Sequence, residues 1–140
     1  MKNRCRCRCL PWFLVLTALL VPGCGGTSQS IDARPPQPLR AGVTWTGEWS
    51  TNFGPVVLQQ KEDGVSGAYK YQRKGQDIVG ILAGKVDGHR LTVRWQDQQG
   101  GAGSGHARFL LADDGGSFVG TWGGGDSDES GGEWSGTRVR

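Results

Sequence analysis

One spacing constrains this chain more than any other: a glycine repeatedly stands two residues from a bulky apolar side chain. It occurs in Trp45-Thr46-Gly47-Glu48-Trp49, Gly67-Ala68-Tyr69, Ile78-Val79-Gly80-Ile81-Leu82, Phe118-Val119-Gly120-Thr121-Trp122 and Trp134-Ser135-Gly136. Residues two apart share a face of a strand and lie on nearly opposite sides of a helix, so the spacing has meaning only in a sheet. The intervening positions include Thr46, Glu48, Ser66, Lys70, Thr92, Arg94, Arg108, Thr121 and Ser135, a polar set that belongs in water. A transmembrane barrel is excluded, because its outer face would have to be apolar.

Short alternating segments recur between turn signals and predict eight strands: 44–51, 56–61, 65–71, 77–83, 90–96, 106–112, 117–123 and 133–139. The connections "NFGP", "EDG", "QRKGQ", "VDGH", "DQQGGAGSG", "DDGG" and an acidic glycine loop read as hairpins. A meander without helical periodicity implies an all-β domain, either an antiparallel up-and-down barrel or a strongly curved sandwich. The expected inner face carries Trp45, Trp49, Val56, Leu58, Val65, Tyr69, Tyr71, Ile78, Leu82, Leu91, Val93, Trp95, Ala107, Phe109, Leu111, Phe118, Trp122 and Trp134, and no carboxylate. Eight strands leave room for side chains to fill the lumen and little more. A glycine beside each aromatic then lets a ring from a neighbouring strand lie over bare backbone. Each such glycine costs roughly 0.5–1 kcal/mol of chain entropy, and burying one large apolar side chain returns roughly 1.5–3 kcal/mol.

The start of the chain has a different character. Lys2, Arg4, Arg6 and Arg8 precede the apolar run "LPWFLVLTALLVP", which suits an export signal and is short of the roughly twenty residues a spanning helix needs. The run ends in "LVPGC", which resembles the lipobox of bacterial lipoproteins, with Val21 three before the cysteine, Gly23 just before it, and Pro22 where a small or hydroxyl residue is usual. The resemblance implies cleavage between Gly23 and Cys24, a diacylglycerol on the Cys24 sulfur and an acyl chain on its new amino group. Three chains exceed the two-signal threshold for stable anchoring. Gly25 stands where an aspartate would resemble an inner-membrane retention signal, which favours the outer membrane.

With residues 1–23 as signal peptide, residues 24–43 read as a lipidated flexible linker and 44–140 as the barrel. The stretch "GGTSQSIDARPPQPLRAGV" shows no apolar period, and as a coil it reaches roughly 20–25 Å. The chain carries +3 overall, but four of its sixteen basic residues precede Cys24; twelve remain against thirteen acids, a balance of −1. Nucleic acid is therefore not an expected partner, and membrane contact is expected through lipid. The other cysteines, Cys5, Cys7 and Cys9, lie in the signal, so no disulfide can staple the mature domain.

The phrases "GEWSTNFG", "GVSGAYKY", "LTVRWQD", "ARFLLADDGGSFVGTWGG" and "GEWSGTR" together resemble a group of bacterial secreted β domains with G-x-W, G-x-Y, L-x-x-x-W, D-G-x-S-F-x-G-x-W and G-x-W-x-G-x-R signatures. That likeness covers most of 46–138 and implies the fold. More distantly, the order G-x-W, G-x-Y, L-T-V-x-W resembles the avidin barrel, with Tyr69 and Trp95 at its pocket tyrosine and tryptophan. Avidins supply an Asn and a Ser to biotin after the first motif; Thr51 and Pro55 stand here, and Tyr71 replaces the serine after the pocket tyrosine. A site built to hydrogen-bond its ligand loses heavily without those partners, so biotin is not expected. The "TGEW" phrase also resembles small periplasmic barrels that block metalloproteases.

Two classes of function follow. The first is a non-enzymatic binding or interaction module of the cell envelope, in which Trp49, Tyr71, Trp95 and Trp122 line the barrel mouth for a small ligand or glycan. Within this class an outer apolar patch of Val57, Val79, Ile81, Leu110 and Val119 could instead meet a protein. The second is an enzyme, for which the chain offers little: His89 in a turn, His106 on the outer face, and no nucleophile elbow. Asp126, Asp128, Ser130 and Gly131 copy the opening of a calcium loop, but the required glutamate is Thr137, so the loop reads as a solvated hairpin tip with no metal and no cofactor. Radiolabelled palmitate fed to the producing bacterium should enter the protein and should be lost in Cys24→Ala; equal labelling of the two would refute lipidation.

Overall fold

The computed structural model describes residues 35–139, and Gly23 and Cys24 lie outside them. Its strands are β1 Gly47–Thr51, β2 Gly54–Lys61, β3 Gly64–Arg73, β4 Gln76–Asp87, β5 Arg90–Gln99, β6 Ser104–Leu111, β7 Ser117–Gly124, β8 Gly132–Glu133 and β9 Gly136–Arg138. Strands β1 to β7 pair in chain order, and β9 fits between β7 and β1, all antiparallel. The ring is closed: an eight-stranded up-and-down barrel, with β8 as a short addition on β7. No described residue is helical.

The spacing of glycines and rings explains how the ring can close. Tyr69 is the cross-strand partner of Gly80, Phe109 of Gly120, and Phe118 of Gly136. In each pair a Cβ on the glycine would collide with the facing ring. Gly67 plays the same part for two aliphatic chains, since it pairs with Leu58 on one side and Leu82 on the other. The rings therefore occupy the volume that the glycines leave, and the apolar residues of the expected inner face are buried or half-buried.

The expected last strand, 133–139, is instead broken. Trp134 turns its side chain into the core, where it meets Phe53, Tyr69 and Phe109 at centroid distances of 5.4–5.7 Å. Its N–H donates to the Gly120 carbonyl, and the Ser135 carbonyl accepts from Asn52 N–H, so the backbone stays satisfied across the break. Strand β4 runs four residues beyond its expected end, because Gly84 to Asp87 find partners on β5.

Arg138 clasps the seam where the chain meets its own beginning. Its guanidinium donates to the carbonyls of Thr44, Thr46 and Gly115 and lies 4.3 Å from the Trp49 ring centroid. Planar donors over an indole face combine hydrogen bonding with cation–π attraction, which only arginine does well.

Turns alternate between two poles because successive strands reverse direction. The first pole holds the β1–β2, β3–β4 and β5–β6 turns and the acidic loop between β7 and β8; the second holds the β2–β3, β4–β5 and β6–β7 turns and both ends of the folded chain. The segment expected as a free linker joins the second pole from residue 35 onward. Gln37 and His89 exchange two hydrogen bonds of 2.8 Å, from Gln37 N–H to the imidazole Nδ1 and from His89 N–H to the Gln37 carbonyl. Leu39 and Val43 pack against the core. Apolar side chains in the "LRAGV" phrase are the reason: they have core to cover.

The structure yields a paired expectation. Gly80→Ala drives a methyl into the Tyr69 ring and should destabilise by about 1–3 kcal/mol. Gly124→Ala meets nothing within 4 Å and should be neutral or stabilise by up to about 1 kcal/mol. Urea unfolding followed by tryptophan fluorescence measures both.

Candidate functional site

The lumen is filled by a chain of rings running from one pole to the other. Trp45, Trp49, Phe109 and Phe118 form a tight cluster near the second pole, with centroids 4.9–6.5 Å apart. Trp134 continues it, and Phe53, Trp122 and Trp95 finish it at the first pole in edge-to-face contacts of 5.4–5.7 Å. There the filling stops short. Phe53, Tyr69, Tyr71, Trp95, Asp97, Trp122 and Trp134 enclose a cavity of about 70 Å3 that opens to solvent. A single water needs roughly 10–15 Å3 by the same measure, so the space suits a group of several heavy atoms.

Tyr71, Trp95 and Trp122 thus come together as the sequence suggests. Trp49 does not: it is fully buried in the other cluster, under Arg138, and its Nε1–H donates to the Trp45 carbonyl at 3.2 Å. Phe53, which alternation does not reveal because it sits in the "NFGP" turn, joins Tyr71, Trp95 and Trp122. Contrary to expectation, the inner face does carry a carboxylate, Asp97. Counting on by twos from Leu91, Val93 and Trp95 reaches Asp97, so the signal was present; ending the strand at Gln96 lost it.

Asp97 is 7% exposed and tied on three sides. Tyr69 donates its hydroxyl to one carboxylate oxygen at 2.9 Å; Tyr71 and the Gly103 N–H donate to the other at 3.3 and 3.1 Å. These donors are neutral. The third of them also folds the long glycine loop over the acid, where a Cβ on Gly101 or Gly103 would strike the carboxylate. Both phenols are pushed above the ordinary tyrosine range, first by burial and then by Asp97; exposed Arg73 opposes this at Tyr71.

The polarity of the lining is one-sided. Trp95 sends its Nε1–H into the wall, to the carbonyls of Gly123 and His106, and Trp134 sends its own to Thr51 Oγ1. The Trp122 Nε1–H is buried and has no hydrogen-bond partner. With the phenol protons committed to Asp97, the accessible surface is aromatic carbon plus oxygen lone pairs. Such a lining accepts hydrogen bonds and offers almost none.

The remaining candidates lie elsewhere. His106 Nδ1 is 2.8 Å from the Gly125 carbonyl, and His89 is bound to Gln37 at the opposite pole. Asp128 of the calcium-like loop forms an ion pair with Arg108, which is half-buried and not freely solvated as its outer position suggested. Among the described residues no three His, Cys, Asp or Glu side chains are grouped to hold a metal. On the outer face Val57, Ala68 and Ile81 are cross-strand neighbours and form one exposed apolar row, whereas Leu110 is buried. Compared with protein-family models, curated proteins and solved structures, the chain matches none.

The protein's two tyrosines make the site directly readable. A phenol whose folded-state pKa exceeds its unfolded value of 10.0 contributes stability that is complete below that pH and is lost as pH rises beyond it. Tyrosinate absorbance should therefore stay low through the ordinary range and climb with alkaline unfolding, while Asp97→Asn should move ionisation to lower pH. A normal titration of both phenols in the folded wild type would contradict the buried pairing.

Proposed function

We propose that this chain is a lipid-anchored protein of the bacterial cell envelope, favouring the outer membrane, and that it works by binding a small ligand in its barrel without catalysis. The carrying observation is the cavity itself: six aromatic side chains around one buried, neutrally tied carboxylate, at an open pole of a barrel that is otherwise filled. A core needs no buried acid, and burying one costs free energy that only its three donors offset. That expense is understandable where the acid meets a ligand.

The same geometry favours binding over chemistry. Acid–base cleavage of the glycosidase type uses two carboxyl groups facing one bond, and the cavity has one. Neither imidazole lines it. The lipobox-like "LVPGC" supports the anchor, and the net balance of −1 after it argues against nucleic acid. A second reading, docking of an envelope protein, draws support from the exposed row of Val57 and Ile81.

A panel of sugars, amino acids, nucleosides, organic acids and amines tests the ligand reading. At least one class should raise the melting temperature and perturb tryptophan emission, and Trp122→Leu should abolish both effects. A response to none of them would reduce the cavity to imperfect packing and leave the outer row as the working surface.

A further inference from the structure

We propose that the cavity takes the alkylated ammonium head of an organic cation, with the positive charge facing Asp97 and the methyl groups lying against Trp95, Trp122 and Phe53. The inference rests on the ligand-binding reading above and narrows it to one chemical class.

Three observations lead there. The phenol protons and the Trp95 and Trp134 N–H groups are committed within the wall and the Trp122 N–H is buried, so a ligand rich in acceptors finds almost no donor, and an anion would face a carboxylate as well as the negative faces of the rings. A sugar needs donors and acceptors in alternation, and only one kind is offered. The Asp97 carboxyl group is met by two hydroxyls and an amide and by no cationic side chain among these contacts, which leaves one oxygen lone pair for an incoming cation. Finally, about 70 Å3 with an open side accommodates a compact tri- or tetra-alkylammonium head while any longer substituent passes out through the mouth. Aromatic boxes hold such cations because ring faces attract the spread charge without demanding the directed hydrogen bonds that a methylated nitrogen cannot make. Clamping the glycine loop is a part Asp97 also plays, but a loop clamp does not call for rings around it.

Calorimetry on the full-length protein in maltoside micelles, at fixed ionic strength, separates charge from shape. Choline and tetramethylammonium chloride should bind, and 3,3-dimethylbutanol, the uncharged isostere of choline, should bind about tenfold more weakly or not at all. Asp97→Asn should cost tenfold or more, on the order expected for losing a charged partner. Arg73→Gln, a change at an exposed residue beside Tyr71, should tighten choline binding by removing an opposing charge. Adding short-chain phosphatidylcholine distinguishes the source: competition with choline assigns a lipid headgroup within reach, and its absence assigns a free solute. Equal binding of choline and dimethylbutanol would overturn the cation while keeping a binding cavity. Failure of both, with binding of another class from the panel, would do the same, and failure of every class would remove the binding reading itself.

Discussion

A ring laid across a residue without a side chain is the interaction on which this barrel depends. Tyr69 over Gly80, Phe109 over Gly120 and Phe118 over Gly136 are directly paired residues of adjacent strands, so each ring is placed by the hydrogen-bond ladder itself. Register and packing are thereby coupled. A slip of one residue would put a Cβ where a ring must lie and send every indole to the wet face. The same pairs permit the tight coiling that closing a narrow barrel requires.

Because this device has a period of two, most of the architecture was legible in the sequence. Strand count, hairpins and inner face follow from counting alternate residues and finding glycine or a large side chain at each, while the choice between a barrel and a curved sandwich is made by β9 pairing with both β7 and β1. The losses have one physical origin: they fall where the ladder ends. Asp97 lay one residue beyond the expected end of its strand, and a charged side chain invites the reader to stop. Phe53 sits in a turn, where alternation has no meaning. Trp49 has the right parity, but parity says which face and not which height, so it was assigned to the mouth when it belongs beneath Arg138. The break at Trp134 arises because one indole must reach the axis between Tyr69 and Phe109.

The cavity follows from the same economy of space. Near the second pole four rings interlock with Arg138 closing the wall beside them, and the lumen is full. Towards the first pole a carboxylate takes an inner position that elsewhere belongs to a large apolar group. Asp97 brings little volume and needs donors, and the two tyrosines turn their hydroxyls to it. Their rings consequently stand as walls, and the space between them and Trp95 stays open. A buried acid therefore creates both the vacancy and its chemical character.

The docking of Gln37 on His89 gives the molecule a direction. The chain enters the fold beside the β4–β5 turn, whereas Phe53, Tyr71 and Trp95 gather at the other extremity. At residue 35 the chain therefore enters at the stern, at the end of the barrel opposite the prow that holds the cavity. A pull on the chain at residue 35 would thus be borne first by the Gln37–His89 pair, with the whole length of the barrel between that load and the aromatic opening.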